Sequence, residues 1–190
     1  MQIYQPLEPE DFALIAGKEI ETREESLEFC QAFEGARKGS CLSESWPLYR
    51  AELQKPETIV NICSNSQFDD WQYERCLSGI FYVAMAQANL DIDWANSFCS
   101  ELPTKFSAIC YANSASRLIE VDSRNVQKAL TLCERATEFG QDKACFDELV
   151  KFSNYTFLVD TPEFYELCEG MPDSWKNQCL TKSPNRSILQ

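Results

Sequence analysis

The sequence predicts an all-α fold, a right-handed α-solenoid of about five helix-turn-helix repeats, on three observations. Ten cysteines recur in pairs with a period near 35 residues, the neighbours of each cysteine recur with them, and turn-forming residues sit between the members of every pair. The cysteines are Cys30, Cys41, Cys63, Cys76, Cys99, Cys110, Cys133, Cys145, Cys168 and Cys179. Taken in order as pairs they enclose ten, twelve, ten, eleven and ten residues. First members step by 33, 36, 34 and 35, and second members by 35, 34, 35 and 34.

Residues 1–25 precede the first pair. Prolines at 6 and 9 lead into the amphipathic "EDFALIAGKEIE", which predicts an arm or a capping helix. Residues 26–190 are expected to hold the cysteine-bridged repeats. Each first cysteine follows an apolar residue (Phe29, Ile62, Phe98, Leu132, Leu167), and each second cysteine precedes one (Leu42, Leu77, Tyr111, Phe146, Leu180). Between them lie Gly35 and Gly39, then Ser64-Asn65-Ser66, Pro103, Gly140, and Gly170 with Pro172. Residues suited to capping follow: Asp69 or Asp70, Thr104, Asp142, and Asp173 or Ser174. Each unit thus reads as helix, turn, helix.

The flanks carry the same pattern. "DSRNVQKALTLCERA" sets Val126, Ala129, Leu130 and Cys133 at helical spacing behind a Ser123 cap, and "DTPEFYELC" puts Pro162 and Glu163 in a first turn after Thr161. The second helices "CLSGIFYVAMAQANL" and "ACFDELVKFSNYTFL" are apolar enough to pack inside. The last unit meets Pro184 and stops at Gln190, so its second helix is expected to be incomplete and the native chain to continue.

Helical geometry gives the spacing a meaning. Positions about one turn either side of a short loop are neighbours in an antiparallel helical hairpin, within the Cα separation of roughly 4.4–6.8 Å that a disulfide needs. Each unit is therefore expected to be stapled to itself: Cys30 to Cys41, Cys63 to Cys76, Cys99 to Cys110, Cys133 to Cys145, and Cys168 to Cys179. A Cys41 to Cys63 bond between adjacent units is the alternative.

From Ser26 to Leu180 this organisation resembles the tetratricopeptide clan, and within it the secreted bacterial cysteine-rich helical repeat proteins with one disulfide per repeat. Gly79 falls where the clan places a small residue, whereas the equivalent Asn113 and Glu148 depart from it. The resemblance implies an architecture and carries over no binding or catalytic residue.

Composition narrows the function. With 17 basic and 30 acidic residues the net charge is −13, which disfavours nucleic acid and anionic membrane surfaces as partners. No apolar run reaches the length of a membrane span, and the start shows no cationic leader. The expectation is that a leader has been removed and Met1 added, or that the chain is a piece of a longer one.

The chain has no histidine, which leaves out Ser-His-Asp and Cys-His catalysis, imidazole metal ligation and histidine pH switches. Close C-x2-4-C pairs and glycine-rich phosphate loops are missing as well, so no metal and no cofactor is expected. Asp69, Asp70 and Glu74, and likewise Asp91 and Asp93, suit acid-base or calcium chemistry, but their recurrence at unit boundaries with Asp122 and Asp160 reads as capping and a solvated face. Trp71, Tyr73, Trp94, Tyr111, Phe164, Tyr165 and Trp175 suit a peptide or glycan groove, with core packing beside the cysteines as the simpler role. Sequons begin at Asn154 and Asn185 and count only in a eukaryotic secretory setting.

Five bridges would persist outside the reducing cytosol, so the periplasm, the cell surface or the extracellular space is expected. The mitochondrial intermembrane space and a hyperthermophile interior are the alternatives. The expected function is a non-catalytic scaffold that binds a protein partner, either secreted or as an extracytoplasmic domain or subunit of a larger envelope assembly. The competing readings are a carboxylate-dependent glycan-acting enzyme and a rigid structural spacer.

Overall fold

A computed structural model describes residues 8–16, 19–63, 69–157 and 161–181. Among the described residues there are eleven α-helices and no strand. They are α1 (Pro9–Ala16), α2 (Arg23–Gln31), α3 (Gly35–Glu44), α4 (Pro56–Ile62), α5 (Asp70–Gln87), α6 (Ile92–Ser100), α7 (Thr104–Val121), α8 (Val126–Ala136), α9 (Asp142–Thr156), α10 (Pro162–Glu169) and α11 (Asp173–Thr181). Short 3-10 turns occupy Trp46–Tyr49, Ser123–Asn125 and Thr137–Phe139. The chain forms two compact units, Met1–Ala84 and Met85–Gln190, divided within α5. Ser64-Asn65-Ser66, Asp160, Pro184 and the Asn185 sequon lie outside the described residues, as does the side chain of Asn154.

Side-chain oxygens start several helices by accepting the free N–H groups of the first turn. Thr22 and Glu25 form a reciprocal capping box on α2. Asp69 accepts from Gln72 N at 2.7 Å ahead of α5, Asp91 accepts from Asp93 N at 2.8 Å and Trp94 N at 3.2 Å ahead of α6, and Thr161 accepts from Phe164 N at 3.4 Å ahead of α10. Replacing Asp91 by alanine is expected to cost about 1 kcal/mol, read as a lower urea midpoint.

Four expected caps are placed differently. Asp173 and Ser174 lie inside α11, behind Pro172. Thr104 lies inside α7 behind Pro103, and Asp142 opens α9 behind Gln141; neither Pro103 nor Gln141 makes a side-chain cap bond. Asp142 instead contributes negative charge to the positive end of the helix dipole. Ser123 starts a 3-10 turn capped by the preceding Asp122, whose carboxylate accepts from Arg124 N at 2.9 Å, and α8 begins only at Val126. One glycine also differs from its expected turn role. Gly140, at φ 69°, does close a turn in the left-handed region, but Gly39 lies inside α3, and its role is in packing.

In the first unit α2 packs on α3, and α3 meets α5 at two glycines. A Cβ on Gly39 would stand 2.6 Å from Gln72 O, and one on Gly79 would stand 2.4 Å from Ser43 Oγ. Only hydrogen at those positions lets the two helices approach so closely. Between α2 and α4, Arg23 Nη2 donates to Asn61 O at 2.5 Å. In the second unit α7 packs on both α8 and α9, and α9 on α11, while α6 packs on α8 and α8 on α10. Leu118, Ile119, Val126, Leu132, Leu149 and Leu167 fill this core at 1% exposure or less.

Candidate functional site

The cysteines fall where the helices turn back. Cys30–Cys41 joins α2 to α3, Cys63–Cys76 joins the end of α4 to α5, Cys99–Cys110 joins α6 to α7, Cys133–Cys145 joins α8 to α9, and Cys168–Cys179 joins α10 to α11. The Cα separations are 5.5, 5.7, 5.6, 5.3 and 5.4 Å, within the range a disulfide accepts without backbone movement. No free cysteine remains, and every cysteine is at most 1% exposed. Of the ten flanking apolar residues, eight are buried, and Phe29 and Leu180 are half-buried. The bridges therefore lie inside the packing, out of reach of a reductant in the folded state.

Three of the carboxylates considered for catalysis are engaged structurally. Asp69 and Asp91 serve as caps, and Asp93 Oδ1 accepts from Arg135 Nη1 at 2.5 Å, tying α6 to α8. Gln127 donates to Glu166 Oε1 at 2.9 Å, tying α8 to α10. On α7, burial raises the Glu120 carboxyl and lowers the Arg117 guanidinium, and the two pair at 2.7 Å along the same helix. Among the described residues no group of three Cys, Asp or Glu side chains is arranged to hold a metal ion.

The Asp122 carboxyl is pulled down to about 2 by hydrogen bonds from the Arg124 side chain and then from the Arg124 backbone N–H. Its folded value lies below the ordinary 3.8, so its contribution is present above pH 3.8 and is lost as pH falls towards 2. Asp122→Asn is expected to flatten that part of the acid limb, and a carbon-detected NMR titration should place the Asp122 midpoint near 2.

The aromatics considered for a groove are dispersed. Tyr73 OH donates to Val60 O at 3.2 Å, and Arg75 lies over the Trp71 ring at 5.8 Å. Trp94 stacks on Phe98 at 4.6 Å. Tyr111 OH donates to Asn96 Oδ1 at 3.0 Å, and burial, followed by the charge of Glu138, pushes its phenol up to about 12. Trp175 Nε1 donates to Asp147 Oδ1 at 2.8 Å while its ring leans on Phe146 at 5.1 Å, so it links α11 to α9. Phe164 is buried, and its neighbour Tyr165 is 38% exposed.

An open groove of about 360 Å³ lies in the first unit, between the end of α1 and the outer side of α2. Leu14, Ile20 and Phe29 give it apolar surface, and Glu19, Glu25 and Glu28 line it with carboxylates. The Glu25 carboxylate accepts from Glu21 N at 2.9 Å and Thr22 N at 3.0 Å, and these two backbone bonds hold its pKa below the ordinary value. In the sequence Phe29 stands only as an apolar flank of Cys30. The signal for the groove was the density of acids around the apolar Ile20 and Phe29. No helix among the described residues is long and apolar enough to cross a membrane. Compared with protein-family models, curated proteins and solved structures, the chain matches none.

Proposed function

We propose that the chain is a non-catalytic protein-interaction scaffold, built as a disulfide-stapled α-solenoid like those of the tetratricopeptide clan. One observation carries this reading: first helices of hairpins touch first helices, and second helices touch second helices, one repeat apart. Arg23 reaches Asn61, Asp93 reaches Arg135 and Gln127 reaches Glu166 along the first helices. Along the second helices Ser43 meets Gly79, and Cys145 Sγ lies 3.6 Å from Tyr111 O. Stacking of this kind buries one edge of each hairpin and leaves an extended face whose side chains can vary without harming the core. Five buried disulfides support an oxidising compartment for the scaffold, the periplasm, the cell surface or the extracellular space, free or within a larger envelope assembly.

The test is site-specific photo-crosslinking in the native extracytoplasmic fraction. The exposed Glu24 of α2, Glu134 of α8 and Glu169 of α10 sample one row, and the exposed Lys151 of α9 samples the other. The scaffold reading expects adducts to one defined protein from one row and none from the other. Absence of a defined adduct from both rows would favour a rigid spacer.

A further inference from the structure

We infer that the groove between α1 and α2 is a docking site for a basic amphipathic segment of a protein partner, whose apolar side chains seat on Leu14, Ile20 and Phe29 while flanking Lys or Arg residues meet Glu19 and Glu28. This deepens the scaffold reading and rests on it. The volume of about 360 Å³ lies at the small end of the range for binding pockets, enough for a few anchoring side chains. Charge complementarity selects the occupant. Residues 8–28 hold eight carboxylates (Glu8, Glu10, Asp11, Glu19, Glu21, Glu24, Glu25, Glu28) against Lys18 and Arg23, a balance of two minus eight, or −6.

Two nearby arginines are committed elsewhere. Arg23 is spent on Asn61 O at 2.5 Å, and Arg37 pairs with Glu8 at 2.5 Å while lying over the Phe33 ring at 5.8 Å. Glu25 is fixed by its backbone bonds, so Glu19 and Glu28, both exposed, are the carboxylates free to turn towards a ligand. An apolar floor with an acidic rim favours a cationic amphipathic segment and disfavours acidic peptides, phosphorylated groups and anionic lipid surfaces. The recognition mode is that of an apolar stripe laid into a groove, with rim charges setting orientation and association rate.

The experiment uses the full, oxidised chain and a synthetic peptide of about 14 residues with Leu at i, i+3, i+4 and i+7 and Lys or Arg on the flanks. Binding is followed by fluorescence anisotropy and mapped by amide chemical shifts. The proposal expects shifts centred on Leu14, Ile20 and Phe29, and affinity weakened roughly tenfold by Glu19→Lys with Glu28→Lys and by raised salt. A peptide with Glu in place of its basic residues should not bind. A charge-matched control, Glu101→Lys with Glu138→Lys at exposed positions in the second unit, should leave affinity within about twofold, since rim effects are local under salt screening. Equal weakening by both double variants, shifts mapping away from the groove, or no binding at all would overturn the docking site. A defined crosslinked partner that binds the Glu19→Lys, Glu28→Lys chain unchanged would overturn the groove while leaving the scaffold reading standing.

Discussion

Replacing Cys133 and Cys145 together by alanine is expected to lower stability by about 3 kcal/mol, through the loop-closure entropy returned to the unfolded chain. For a chain of this size that corresponds to a fall in Tm of roughly 6–12 °C under non-reducing conditions. The bridge joins α8 to α9 across a sequence separation of 12, and both residues are fully buried. Changing both avoids leaving a buried free thiol. The remaining helix contacts of α8 and α9, including the Asp93–Arg135 pair, should keep the variant folded. A loss below about 1 kcal/mol would mean that the hairpin is already closed in the unfolded chain without its bridge.

Gly39→Val is expected to destabilise the first unit by roughly 1–3 kcal/mol, the usual cost of overpacking a tight contact. The new Cβ would stand 2.6 Å from Gln72 O and 3.2 Å from Arg75 Cβ. The first of these is backbone of α5 and cannot swing aside, so α3 must move away from α5. Gly39→Ala should cost less, because alanine recovers about 1 kcal/mol of helix propensity against the same clash. Urea unfolding of both variants at matched conditions checks the order. An unchanged midpoint for Gly39→Val would show that α3 and α5 do not approach closely at this position.

The helices and their bridges were legible because cysteine spacing converts directly into hairpin geometry. Ten to twelve intervening residues bring two helix positions face to face, and the apolar neighbours mark the buried side of each helix. Caps were less legible. Asp69, Asp91 and Thr161 act through their side chains as that chemistry suggests, but at Thr104 and Asp142 the chain enters the helix one residue earlier, and at Ser123 the neighbouring Asp122 takes the cap. Local preference cannot choose between adjacent polar residues when the entry angle is set by packing.

Gly39 was read as a turn residue because glycine punctuates loops, whereas its tertiary reason, the carbonyl of Gln72 on another helix, lies outside any local window. The division into two units inside α5 had no signature in composition, since a continuous helix crosses it. The groove was hidden for a related reason. Ile20 and Phe29 look like ordinary helix-face residues until α1 is placed beside them.

The most direct test of the stapled-hairpin account is mass spectrometry of the unreduced protein after proteolysis, with any free thiols alkylated first. The account predicts five linked peptide pairs, Cys30–Cys41, Cys63–Cys76, Cys99–Cys110, Cys133–Cys145 and Cys168–Cys179, and no alkylated cysteine. A Cys41–Cys63 link, bonds between distant hairpins or a set of free thiols would contradict it.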